Sequence, residues 1–87
     1  LEDETELTEP PLTAIEILSP TRTIYYITTD KFFNSYFPAG VQSAWLVVPT
    51  FRTIYVYTPD WQYTTFVGNT LHDPATDITL PLNEIFP

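Results

Sequence analysis

Two side chains in this sequence could act on a common group: Glu16, near the end of the apolar run from Leu12 to Leu18, and Lys31, with fourteen residues between them. A strand carrying Glu16 leaves it about 7 Å from the strand end at ~3.3 Å per residue. A helix returning from that strand carries Lys31 roughly 13 Å along its axis at ~1.5 Å per residue. With a helix about 10 Å above a sheet and a lysine stem reaching ~6 Å, the two heads can meet. Together they would supply a carboxylate for Mg²⁺ and a cation to neutralise charge developing on a phosphorane. Phosphodiester hydrolysis needs those two roles. The plainer alternative is a strand-end glutamate that accepts from a neighbouring lysine or arginine, or reaches solvent.

Other chemistry has little to draw on. His72 is the one histidine and there is no cysteine, so neither a transition-metal cluster nor a disulfide framework is available. No Ser-His-Asp spacing stands out, and His72 reads as an ordinary strand-end residue. Asp73 and Asp77 lack EF-hand spacing and read as turn formers. The two glycines, Gly40 and Gly68, cannot form a phosphate-binding loop. The tyrosines of "TIYVYT" read as packing or dimer contacts.

The formal net charge is −8, with Arg22, Lys31 and Arg52 as the whole basic complement. Affinity for a nucleic-acid backbone comes largely from releasing counterions against several clustered cations. High-affinity nucleic-acid binding by the isolated chain is therefore not expected without a divalent cation or a partner chain. No apolar run is long enough to span a bilayer and no signal peptide is visible, so a cytoplasmic location away from membranes is expected. The chain starts at Leu1 and contains no Met, which reads as a trimmed or truncated product.

Several elements would have to position Glu16 and Lys31. Residues 1–10, "LEDETELTEP", hold five of the eleven acids and read as a disordered acidic leader. Residues 11–87 read as a single small α/β domain. Leu12–Leu18 is a buried strand with Leu12, Ala14, Glu16 and Leu18 on one face and Thr13, Ile15 and Ile17 on the other. Ser19 then serves as N-cap with Pro20 at the first helical position. A helix is expected over 22–37, with Tyr25, Thr29, Phe32 or Phe33, and Tyr36 recurring at helical spacing and Pro38 and Gly40 closing it.

"SAWLVVP" is apolar on both faces, the pattern of a central strand. Pro49–Arg52 turns into "TIYVYT", Pro59-Asp60 turns into "WQYTTFV", and Gly68-Asn69 signals a two-residue hairpin into "TLH". "DITL" is a last short strand and "PLNEIF" one turn of helix. Strand, helix and strand in that order imply that the first two strands are parallel. The result is a mixed, mostly antiparallel sheet with one main helix. Its second face has no evident cover, which homodimerisation would supply.

The ordered blocks "PPLTAIEILSP", "DKFFNSYFPAGVQSAWLVVP", "RTIYVYTPD" and "LHDPATDITLPLNEIF" resemble the C-terminal half of the Uma-two family. These are restriction-endonuclease-like proteins of the PD-(D/E)XK nuclease superfamily, and the similarity runs over residues 10–87. The resemblance implies a metal-dependent nuclease fold, truncated here, with Glu16 as the acid of the "(D/E)XK" half-motif and as a metal ligand. Leu18 stands where the usual lysine would be. In this family the lysine is displaced onto the following helix, and Lys31 occupies the matching place. Tyr36, Gly40, Val41 and Trp45 match the helix-end and strand signature, a structural one.

The family's first acid lies in a "PD" motif on an upstream strand. That region falls here on the leader, which has neither the motif nor a strand pattern. Asp3 and Glu9 are poor substitutes, and Mg²⁺ needs more oxygen ligands than one carboxylate provides. The expected function is thus a restriction-endonuclease-like module, dimeric and without catalysis of its own, serving structure or protein interaction. The alternative is a Mg²⁺-dependent nuclease completed by a partner chain or by upstream sequence. A third reading is an unrelated protein-binding domain that shares only the sheet.

Overall fold

The computed structural model describes residues 12–87, so the leader expected at 1–10 lies outside the described residues. Strand β1 spans Thr13–Ile17. Ser19-Pro20 ends it by a turn and does not cap the helix: the Arg22 N–H donates to the Ser19 carbonyl at 3.2 Å, a reversal that suits the fixed φ of Pro20. Thr23 is the N-cap instead, its hydroxyl accepting from the Tyr26 N–H at 3.0 Å.

The helix expected over 22–37 is helical over 24–36, but it is wider than an α-helix. A short α1 (Ile24–Tyr26) runs directly into a π-helix, Ile27–Tyr36. Side-chain hydroxyls favour this loosening by taking carbonyls of the preceding turn. Thr28 donates to Ile24 O at 2.9 Å, Thr29 to Tyr25 O at 2.6 Å and Ser35 to Asp30 O at 2.9 Å. Such bonds compete with the i→i−4 amides of a regular helix, and the π-helix bonds five residues apart. The buried row shifts accordingly. Ile27 and Phe32 are fully buried and Phe37 packs on them, five residues apart each time. Tyr25, expected in the helical repeat, is 77% exposed.

Gly40, at φ 105°, turns the chain after the helix. β2 (Ser43–Val48) follows and is buried at every position, as a central strand must be. It pairs parallel with β1 and antiparallel with β3 (Thr53–Tyr57), which pairs antiparallel with β4 (Tyr63–Val67). The sheet order is β1-β2-β3-β4, so β1 is an edge strand. Glu16, Leu46 and Tyr55 stand in register on the helix-facing side. Ile15, Trp45 and Val56 stand in register on the other.

The chain departs from expectation after β4. Gly68-Asn69 does not close a hairpin: β5 (Thr70–Asp73) pairs with β6 (Ile78–Pro81) in a separate two-stranded sheet. The Asn69 carbonyl accepts from Leu82 N–H at 3.0 Å, which ties this corner to α2 (Leu82–Ile85). The second sheet face is also less bare than expected. Leu71 and Leu82 bury themselves against Trp45, Val47, Ile54 and Val56, with Phe66, Leu80 and Phe86 around them. Each such leucine contributes about 2 kcal/mol.

Cover stops short of β1, whose Ile15 and Ile17 remain 56% and 58% exposed, unlike the buried strand expected there. Asp73 does set a turn, accepting from Ala75 N–H at 3.0 Å. It also joins the two sheets, accepting from Ser43 Oγ at 2.6 Å and Trp45 Nε1 at 2.8 Å.

Candidate functional site

Glu16 lies on the helix-facing side of β1, and its side chain is only 14% exposed. Lys31 Nζ stands 3.6 Å from its Oε2, so the fold brings together the two residues singled out by spacing. Two further side chains join them. The Tyr36 hydroxyl donates to Oε2 at 2.5 Å, and Arg22 Nη2 donates to Oε1 at 3.3 Å.

From the sequence alone Tyr36 reads as structural and Arg22 has no site role. The signal for Arg22 was its place just past the Ser-Pro turn, where a reversal carries it back to the strand end. The signal for Tyr36 was its five-residue offset from Lys31. In an α-helix that offset points the two residues to different faces, whereas a π-helix aligns them. Lys31 and Tyr36 therefore both reach Glu16 at the β1 edge.

Charge is distributed unevenly around this point. Two of the protein's three cations converge on one carboxylate, so among the described residues the cluster is net positive. Burial works against the charged form of Glu16. The Tyr36 hydrogen bond and the charges of Lys31 and Arg22 outweigh it and hold the carboxyl below its usual range. The same hydrogen bond, with burial, pushes the Tyr36 hydroxyl up to about 12. Glu16 is thus firmly ionised, and Tyr36 is firmly a donor.

Mg²⁺ takes a near-octahedral oxygen shell, usually with one or two carboxylates and the substrate. Glu16 is bonded by two cations and a phenol. Among the described residues no three His, Cys, Asp or Glu side chains gather where they could hold a metal. These residues by themselves therefore do not fit Mg²⁺. What they do offer is a pair of half-exposed cations at a carboxylate, suited to an anion that approaches from solvent. His72 lies in β5 with Nδ1 3.0 Å from Thr79 Oγ1.

The chain is similar to known proteins in two comparisons. The Uma2 family, described as "Putative restriction endonuclease", matches residues 1–83. A crystal structure of a "putative nuclease belonging to DUF820" from Anabaena variabilis superposes with a TM-score of 0.72 at 27% identity. That match covers 90% of this chain and 45% of the Anabaena chain, so this protein spans less than half of that neighbour's length. None of the curated proteins matches.

Proposed function

This chain belongs to the Uma2 family, and we propose on that premise that its described residues form one half of a PD-(D/E)XK-type phosphodiesterase site. Glu16 is the carboxylate contributed to a metal, and Lys31 is the cation that meets the scissile phosphate. The observation that carries this reading is the 3.6 Å contact between them, made between a strand end and the helix that follows it. Leu18 leaves the usual lysine place empty of charge, and the helical Lys31 fills the same role from the other side of the carboxylate. Because the one carboxylate that the described residues place here does not by itself fit Mg²⁺, these residues read as a nuclease-like module without turnover of their own. A partner chain, a second copy or further sequence would complete it.

Plasmid nicking tests both parts. The 87-residue chain is expected to leave supercoiled DNA intact in Mg²⁺ or Mn²⁺. Nicking that vanishes in Glu16→Ala would overturn the incompleteness. In a chain extended to the neighbour's length, Glu16→Gln and Lys31→Ala are each expected to lower nicking by about 100-fold or more. Unchanged nicking in both would remove the site assignment.

A further inference from the structure

We propose that Arg22, with the cleft beside it, forms a second phosphodiester subsite that holds the phosphate adjoining the one at Lys31. This rests on the site reading above and adds to it a substrate-binding group outside the acid–lysine pair. Thr21, Arg22, Thr23 and Tyr26 line an open cleft of about 310 Å³ next to Glu16. Its lining is one guanidinium, two hydroxyl side chains and one phenol, a set that suits a phosphate and the sugar beside it.

Arg22 is not locked in place by Glu16. A single contact joins them, Nη2 to Oε1 at 3.3 Å, and the guanidinium side chain is 32% exposed. An arginine carries five N–H donors in a planar fork that matches phosphate oxygens two at a time. Among the described residues this one uses one donor on Glu16, which leaves the outer edge of the fork for the cleft. Lys31 meets the other oxygen of the same carboxylate. The two cations therefore meet different oxygens of Glu16, so one phosphate can approach Lys31 while its neighbour takes the Arg22 fork.

The charges decide the sign of the effect. Among the described residues two cations stand against one carboxylate, which leaves a net attraction for an anion, and Glu16 competes with that anion for both of them. A phosphodiester held this way needs no bridging metal, and removing the charge of Glu16 should tighten it. A metal-bridged phosphate behaves in the opposite way, since loss of the carboxylate releases it.

Backbone amide NMR of the 87-residue chain, in low salt with EDTA, supplies the test. It is titrated separately with a short oligothymidylate and with inorganic phosphate. Expected are oligonucleotide-dependent shifts at residues 21–23, 26 and 31, with tighter binding of the oligonucleotide than of inorganic phosphate. Arg22→Ala should weaken oligonucleotide binding at least fivefold and lower its salt dependence by about one ion. Arg22→Lys should restore part of it, and Glu16→Gln should strengthen it. Equal binding of the two ligands, or binding unaffected by Arg22→Ala, overturns the subsite. So do shifts confined to Trp61, which stacks on Phe33, and its neighbours.

The two proposals fail separately. If only the subsite is wrong, the extended chain with Arg22→Ala cleaves like the unaltered protein while Glu16→Gln stays inactive. If only the catalytic assignment is wrong, the Arg22 effects on binding persist. A spectrum as dispersed as that of the unaltered chain shows that each variant is folded.

Discussion

At the residue scale, Glu16 is held by three donors from a turn and a helix, and the strength of that hold is measurable as proton affinity. Tyr36 reports it best, because its hydroxyl is pushed from the ordinary 10.0 up to about 12. The raised value means that the folded chain keeps the proton better than the unfolded one. Its contribution to stability is thus fully present below about pH 10 and is lost as pH rises toward about 12.

An ultraviolet titration of the six tyrosines should show Tyr36 among the late ones, alongside Tyr57, which burial also raises. Tyr36→Phe should remove one late transition and flatten stability over the same alkaline range. A Tyr36→Phe protein that retains every late transition would contradict the bond. Glu16 has the opposite sign. Its lowered value gives stability that is present above the ordinary 4.5 and is lost as pH falls through the folded value.

At the element scale, two devices fix the site. The π-helix sets the five-residue row that brings Tyr36 beside Lys31, and the Ser43–Asp73–Trp45 network fixes the strand on which β1 lies. Thr13 Oγ1 lies 2.8 Å from Ser43 Oγ, so β1 is tied to that network as well as to the β2 ladder. Asp73 is 1% exposed. Burial opposes its charge, but hydrogen bonds from Ser43 and Trp45 win and hold its carboxyl below the usual range. Asp73→Asn preserves shape, but with its amide oxygen accepting from Ser43 and Trp45 its NH2 is set against the Ala75 N–H. It should cost about 2 kcal/mol, read as a lower urea midpoint with unchanged slope. A shift within ~0.5 kcal/mol would mean that the network adds little beyond its packing.

At the scale of the whole molecule, charge is unevenly spread along the sequence, and apolar surface is left exposed at one edge of the sheet. The acid-rich end of the sequence accounts for five of the eleven acids, and two of three cations sit at Glu16. The flank of the sheet beyond Trp45 and Val47 is bare where Ile15 and Ile17 stand. An edge strand with exposed isoleucines favours pairing with another chain. Sedimentation velocity is expected to show a concentration-dependent dimer, and Ile17→Lys to return it to monomer. A strict monomer at every concentration would contradict that use of the edge.

No helix among the described residues is long and apolar enough to cross a membrane.

Local order was legible in the sequence: a strand ending in Ser-Pro, a helical segment closed by Pro38 and Gly40, a central strand apolar on both faces, and the alternation of Ile54 and Val56 with Tyr55 and Tyr57. Each of these is set by neighbours within one turn or one pleat. The resemblance, carried by ordered blocks, was legible for the same reason. The three-dimensional structure decided that Tyr36 joins Lys31 at Glu16 and that β5, β6 and α2 cover the second face. Those outcomes depend on helix pitch, where hydroxyls compete with amides for the same carbonyls, and on contacts between residues distant in the chain. The charges along the sequence sum to −8, but only the fold gathers two of its three cations around one carboxylate.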